Sequence, residues 1–267
     1  DIQGCFDNFD HKILRDLLSK RINDPSIMRL INQWLKAGIV DGKIFHRNNK
    51  GSPQGNIISP LLCNIYLHYV LDEWMDKTVR PLLKGEMFIV RYADDFIIGF
   101  ERKDDAMRVY KTLPKRMHKY GLDIHPEKSQ LVKFVPDGKG KPPTFDFLGF
   151  THYWTKTKRG KIMVRQRTCK KKMHKAQAML RECCKRTRHE RLHVQYKQLC
   201  SKLRGLYQYF GIVGNYSCIR KFYQTVLAAW YKWLNRRSQK YSYTRKQFEE
   251  LLKTFPLPKP RIVHKSM

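Results

Sequence analysis

The chain has 267 residues, of which 42% are hydrophobic and 12% aromatic, which is enough for one large or two ordinary domains with a sizeable core and excludes a disordered tail. It carries 54 Lys+Arg against 23 Asp+Glu, a net charge of +31; a folded chain that basic needs a polyanion to offset its self-repulsion, and nucleic acid is the commonest one. No run of about 18 apolar residues supports a membrane span. The seven cysteines form no C-x-x-C pair, which argues against a disulfide framework or a Cys-rich zinc site and favours a reducing compartment.

In chain order, Asp1–Phe6 predicts a short strand, with Asp7, Asn8 and Asp10 left as turn or cap residues. Helical spacing follows over 11–22, through Ile13, Leu14, Leu17 and Leu18, and a second helix over 26–36. Residues 38–45 read as a strand or hairpin and 47–59 as a polar loop, after which Pro60 opens a long helix to about Lys77. Met87–Tyr92 and Phe96–Phe100 are β-type runs flanking Ala93-Asp94-Asp95, a hairpin with its acids at the tip. A helix is expected over 104–120, a strand over 130–135, a loop over 136–143 and strands over 145–151 and 161–164. Helices then follow over 167–186, 190–210, 217–237 and 245–253, with an extended proline-containing tail.

Charge divides the chain near residue 165. Residues 1–150 have a net charge of +5, while residues 151–267 carry 30 basic residues and only Glu182, Glu190, Glu249 and Glu250, a net +26. A solvated face mixes both signs, so this imbalance points to a part that holds the carboxylates and a part that is a basic surface. In the basic part Tyr207, Tyr209, Phe210, Tyr216, Phe222, Tyr223, Trp230, Tyr231 and Trp233 interleave with cations. Lysines and arginines there can track phosphates, while most of the rings are expected in the core and a few on bases.

Asp1 on a strand and the pair Asp94-Asp95 at a hairpin tip are the strongest chemical constellation. Adjacent carboxylates raise each other's pKa unless a cation neutralises them, and a hard divalent ion with oxygen ligands does so. Two such ions can activate a 3′-hydroxyl and stabilise a leaving pyrophosphate. Asp104-Asp105 is the same dipeptide but reads as ordinary helix-start acids. His189-Glu190-Arg191-Leu192-His193 fits H-E-x-x-H literally, yet its neighbours Lys185, Arg186, Arg188 and Arg191 would repel a cation.

Arg91-Tyr92-Ala93-Asp94-Asp95-Phe96 resembles the catalytic hairpin of bacterial group II intron reverse transcriptases, and Asp1-Ile2-Gln3-Gly4-Cys5-Phe6-Asp7-Asn8-Phe9-Asp10-His11 resembles their first metal-binding strand. Gly51-Ser52-Pro53-Gln54-Gly55 is similar to their Pro-Gln-Gly segment, Gly121-Leu122, Glu127-Lys128 and Phe145–Phe150 to later palm motifs, and Leu203–Phe210 and Trp233–Gln239 to the thumb or maturase motif. The likeness runs over essentially the whole chain, with the motifs in order. It implies an α+β fold: a right-hand polymerase palm, an antiparallel sheet with packed helices, over 1–164, followed by a basic α-helical thumb or maturase domain over 165–267.

By the same resemblance the chain is an RNA-directed DNA polymerase with two Mg2+ ions held by Asp1, Asp94 and Asp95. Substrate contacts fall at Ile2, Phe6, Gln54, Gly55 and Lys128, with Phe6 as the ring that selects against a ribose 2′-hydroxyl and Lys128 beside the leaving pyrophosphate. Phe147, Leu148 and Gly149 match the primer grip, and Arg204, Gly205, Arg236 and Arg237 bind nucleic acid, with Gly205 permitting a close approach. Arg91 is expected to support the hairpin rather than react. The implied partners are an RNA template, intron RNA, a DNA primer or target and deoxynucleoside triphosphates, in a bacterial cytoplasm. Arg204-Gly205 and the long basic region favour the intron type over retron and diversity-generating types. The family's fingers region would precede Asp1, so these residues alone are expected to extend primers weakly or not at all. Two other readings stay open: a catalytically inactive fragment acting as an RNA-binding splicing cofactor, and a plain basic RNA-binding domain, which leaves the acidic hairpin without a purpose.

Overall fold

A computed structural model of the chain describes residues 2–36, 39–41, 44–46, 50–52, 57–136, 143–157, 159–239 and 242–265. The chain forms two compact units, Asp1–Leu131 and Val132–Met267.

In the first unit, strand β1 (Ile2–Gln3) leads at once into a one-turn helix α1 (Cys5–Asn8), then α2 (His11–Leu18), α3 (Pro25–Lys36) and the short strands β2 (Ile39–Asp41) and β3 (Ile44–His46). Helix α4 (Ser59–Leu67) continues through π-helical turns at His68–Asp72 and Met75–Val79 to a 3-10 turn at Arg80–Leu82. The hairpin β4 (Met87–Tyr92) and β5 (Asp95–Phe100), helix α5 (Lys103–Lys119) and strand β6 (Asp123–Ile124) complete it.

Local chemistry explains these elements. The Asp10 carboxylate accepts from Lys12 N at 2.7 Å and Ile13 N at 3.0 Å and so caps α2, whose Leu14, Leu17 and Leu18 are buried. The α4 stretch is the spine of the core: Leu62, Cys63, Tyr66, Leu67, Val70, Leu71 and Met75 are all buried along it. The π turns shift its register, which lets a mostly apolar run keep facing one core over so many residues. Helix α5 adds Val109, Leu113 and Met117 at four-residue intervals. All the described strand pairs are antiparallel, but they form separate small sheets, β1–β6, β2–β3 and β4–β5, rather than one continuous sheet.

The second unit opens with a meander, β7 (Thr144–Phe147), β8 (Phe150–Lys156) and β9 (Ile162–Thr168). Helices α6 (Lys170–Arg186), α7 (Leu192–Phe210), α8 (Tyr216–Leu234) and α9 (Arg245–Thr254) follow. Leu180, Leu199, Leu203, Ile219, Phe222, Val226 and Trp230 are fully buried at its centre. Buried Asn215 ties sheet to helices: its Oδ1 accepts from Thr168 N at 2.9 Å, and its Nδ2 donates to Thr168 Oγ1 and the Phe210 carbonyl. Trp230 Nε1 donates to Gln195 Oε1 at 2.9 Å inside the core. The tail is anchored by buried Leu257 and by Tyr207 Oη donating to the Pro258 carbonyl.

Several sequence-based expectations need correction. Residues 130–135 form no strand; the strand that pairs with β1 is β6, because Ile2 needs an apolar partner and finds Ile124. The single strand expected over 145–151 is two strands joined at Leu148-Gly149, where both residues have positive φ. His189 and Glu190 lie in the turn before α7, so His189 and His193 do not share a helix face. The composition changes near residue 165, whereas the compact units divide at Leu131/Val132, so the β7–β9 meander packs in the same unit as the basic helices. All seven cysteines are free and buried. No helix among the described residues is long and apolar enough to cross a membrane.

Candidate active site

Asp95 is the first residue of β5 and pairs with Tyr92, which leaves Ala93-Asp94 as a two-residue turn. Ala93 is left-handed, with φ of 54°, a conformation that costs an L-residue roughly 1–2 kcal/mol and needs outside support. Arg91 supplies it. Its Nη1 donates to the Ala93 carbonyl and to Asn64 Oδ1, each at 2.9 Å, while Nε and Nη2 grip both oxygens of Asp72 at 2.8 and 2.6 Å. This forked pairing ties the tip to the α4 stretch in the geometry that favours Arg over Lys. Arg91 is therefore a positioning residue, as the sequence suggests. Asn64 and Asp72 were not singled out from the sequence; an acid inside the apolar run over 59–82 is the signal that could have found Asp72.

With Arg91 occupied by Asp72, the two acids of the tip are left over. The Asp94 and Asp95 side chains are half-buried, and neither carboxylate makes a hydrogen bond or ion pair among the described residues. The contrast with Asp104-Asp105 is direct. Asp105 is buried in the first turn of α5, and its Oδ2 accepts from the backbone of Lys84 at 2.9 Å and Gly85 at 3.0 Å. That acid does more than start a helix: it holds the approach to β4.

The tip lies close to the β1–α1 junction. Cys5 Sγ sits 2.7 Å from Cys63 Sγ of α4. That contact, then burial, then the charges of the Cys63 thiolate and of Asp94 push the Cys5 thiol far above the ordinary thiol range, while the Arg91 guanidinium pulls it down. The field of the hairpin tip thus reaches the first residue of α1, directly after β1. Asp1 lies outside the described residues.

Gly51, left-handed at φ of 64°, packs so tightly on α1 that a Cβ would come within 2.3 Å of the Asp7 carbonyl carbon. Its N–H donates to the Phe9 carbonyl at 2.8 Å, Ser52 N donates to Phe6 O at 2.7 Å, and His11 Nε2 bonds the Gly51 carbonyl. Ser52 Oγ and Ser59 Oγ, both buried, are 2.7 Å apart, so the two ends of the Pro-Gln-Gly loop are tied together. Gln54 and Gly55 lie outside the described residues. Phe6 is half-buried against the core beneath this clamp. Ile2 is 1% exposed, so any contact it makes with a substrate is through its backbone. Lys128 is exposed in the turn after β6, the partner strand of β1.

In the second unit, Phe147-Leu148-Gly149 forms the β7–β8 tip, with φ of 47° at Leu148 and 79° at Gly149. Tyr209 Oη donates to the Leu148 carbonyl at 2.8 Å and Cys169 N to the Gly149 carbonyl at 2.9 Å. Arg204 is exposed on α7. Gly205, expected to permit a close approach, has nothing within 4 Å of an added Cβ, so no part of its own unit uses that space. Arg236 is exposed beside Trp233, 5.7 Å from the ring centroid, and Arg237 is half-buried. Of the nine interleaved aromatics, Tyr207, Phe210, Phe222 and Trp230 are core residues, and Tyr209 and Tyr216 are about half exposed.

Comparison with known proteins agrees with this geometry. Residues 1–152 match the family model described as "Reverse transcriptase (RNA-dependent DNA polymerase)", a match that implies a polymerase palm fold. The group II intron-encoded protein LtrA of Lactococcus lactis subsp. cremoris is 50% identical over 82 residues, covering 31% of this chain and 13% of that protein. The putative COX1/OXI3 intron 1 protein of Saccharomyces cerevisiae is 27% identical over 180 residues, covering 49% and 22%. An uncharacterized 91 kDa protein in the cob intron of Schizosaccharomyces pombe is 43% identical over 141 residues, covering 51% and 17%. The chain thus spans less than a quarter of the length of each of these relatives. With a family model over more than half of its length, a rigidly held Tyr-Ala-Asp-Asp tip and intron-encoded relatives, the chain belongs to the reverse transcriptase (RNA-dependent DNA polymerase) family, in its group II intron-encoded branch.

Proposed function

We propose that these residues form the polymerase palm, and a basic thumb or maturase part from about residue 165, of an RNA-directed DNA polymerase that copies an RNA template and binds its intron RNA in splicing. The observation that carries the reading is the pair Asp94-Asp95: two adjacent carboxylates with no partner among the described residues, in a strongly basic chain, on a turn fixed by Arg91. Hard oxygen donors of this kind fit Mg2+, which takes one or two carboxylates and completes its shell with water and substrate phosphates. Asp94 and Asp95, with Asp1, would hold two such ions, which when bound activate a primer 3′-hydroxyl and neutralise the departing pyrophosphate.

The chain's own residues do the positioning. Arg91, Asn64 and Asp72 keep the carboxylates in one place, so no reorganisation is needed as charge develops. The Gly51-Ser52 segment is clamped onto α1, and Gln54 and Gly55, which follow it in sequence, would contact template and incoming nucleotide. Phe6 bars a 2′-hydroxyl, the exposed Lys128 serves the leaving pyrophosphate, and Phe147-Leu148-Gly149 hold the primer end. Arg204, Arg236 and Arg237 contact phosphates, and the open face at Gly205 admits a nucleic-acid backbone. A bacterial cytoplasm would supply these partners.

The basic part favours a second, concurrent role as an RNA-binding splicing cofactor. Primer extension on poly(rA)/oligo(dT) with and without Mg2+, measured on the longest natural chain that carries these residues, separates the two. Asp94→Ala with Asp95→Ala abolishes DNA synthesis and leaves intron RNA binding intact. Loss of both together, or of neither, contradicts the division.

A further inference from the structure

Between α6 and α8 the second unit has an open groove of about 630 Å3, the size of a small-ligand site. Its edges are cationic. Arg181 and Lys185 lie one turn apart on α6, and Lys221 and Lys232 lie three turns apart on α8. Glu182 is the one carboxylate among the lining residues, and none of the four cations forms an ion pair among the described residues. The floor is small and apolar: Ala178 on one helix, Ala228 and Ala229 on the other, bridged by Gln177 Nε2 donating to Thr225 Oγ1 at 3.1 Å. Trp233 lines the groove, half-buried, with part of the ring held by the core. Lys232, Arg236 and Arg188 surround that ring at 5.6, 5.7 and 5.9 Å.

These features have one chemistry in common. Unpaired cations on both walls call for an anion with several charges, and an apolar floor beside an indole calls for a flat aromatic group. A nucleotide with its flanking phosphates has both, and bases splayed from RNA loops are read by stacking on aromatic side chains. An acidic peptide meets the charge but brings no flat group to lie against the floor and the indole.

We infer that this groove is a dedicated site for an unpaired RNA nucleotide, taken from a loop or bulge, with its base over the alanine floor against Trp233 and its phosphates between the cationic walls. The inference rests on the RNA-binding reading above and gives it a specific feature: the protein distinguishes looped from fully paired RNA. The site lies on the α6–α8 face and uses none of Arg204, Gly205 or Arg237.

The test compares two probes, a hairpin RNA with an adenosine-rich loop and a blunt RNA duplex of equal length. Ala228→Met fills the groove from an exposed position, so it does not depend on the core. It weakens hairpin binding about tenfold, one base stack, while duplex binding and primer extension are unchanged. Lys185→Ala with Lys221→Ala flattens the slope of log K against log salt for the hairpin by about 1.4. Equal weakening of both probes by Ala228→Met, or of neither, overturns the inference, as does displacement of the hairpin by poly-L-glutamate as readily as by loop RNA. A wild-type protein that binds neither probe overturns the RNA-binding reading itself, and this inference with it.

Discussion

Two hairpin tips, Ala93-Asp94 in the first unit and Leu148-Gly149 in the second, are built on the same device and present opposite chemistry. Ala93 and Leu148 are the non-glycine residues with positive φ among the described residues, and both lie in the motifs that mark the family. At each, a side chain from a helical or strand neighbour donates to the carbonyl of the strained residue: Arg91 to Ala93, Tyr209 to Leu148. Such backbone strain persists only where surrounding structure over-determines it. The difference lies in what is presented. The first tip presents two half-buried carboxylates with no partner among the described residues, suited to cations; the second presents backbone and apolar surface, suited to holding a strand end. Rigid presentation is the shared requirement, and charge decides the role.

The comparison breaks most clearly at the acids. Asp94→Asn with Asp95→Asn is expected to lower primer extension by about 10^3-fold or more, about 4 kcal/mol of barrier. Thermal unfolding stays unchanged or shifts upward, because neither carboxylate bonds another described residue. A large fall in stability would mean that the acids are structural. Next in size, Arg91→Met removes the clamp and leaves half-buried Asp72 with the longer contact to His68 Nδ1, 3.7 Å away, in place of the forked pair. It is expected to cost about 2–4 kcal/mol in denaturant unfolding and to reduce extension per folded molecule, whereas an effect on stability alone would detach Arg91 from the tip's function.

Alkaline titration sharpens the comparison because Cys5 feels the charge of Asp94 at the first tip. Its folded pKa is raised above the ordinary 9.0 by Cys63, burial and Asp94. Its stabilisation is therefore complete below pH 9.0 and is lost as pH rises from there, by up to about 1.4 kcal/mol per pH unit. Cys184, pushed up to about 12 by burial in the second unit, acts in the same direction over pH 9.0 to 12. Cys5→Ala should flatten the alkaline limb of the stability curve; an unchanged limb would place the loss elsewhere. The smallest effect is at the second tip. Tyr209→Phe deletes one hydrogen bond to Leu148 and is expected to cost about 1 kcal/mol; it raises the KM for primer and leaves divalent-ion binding unaltered.

Much of this was legible in the sequence because its signals are local. The alternation around Ala93-Asp94-Asp95 set the hairpin, apolar spacing set the four helices of the second unit, and Pro60 marked the start of the α4 stretch. What escaped depends on partners far apart in the chain. Gln130–Val135 has the composition of a strand, but pairing is decided by β1, which selects Ile124. Phe145–Thr151 reads as one apolar run because a turn made by Leu148-Gly149 breaks no hydrophobic pattern. Asp105 and Asp104 look alike in sequence, and only the fold turns Asp105 inward to the Lys84-Gly85 backbone. The Arg91–Asp72 and Tyr209–Leu148 contacts join residues 19 and 61 positions apart, beyond the reach of any local pattern.

The central claim is that Asp94 and Asp95, together with Asp1, hold divalent cations. Mn2+ titration followed by paramagnetic broadening of assigned amide signals tests it directly. The account predicts early broadening at residues 93–96 and 2–5, reversal by excess Mg2+, and loss of both in Asp94→Asn with Asp95→Asn. Broadening centred elsewhere, or unchanged in that variant, would contradict it.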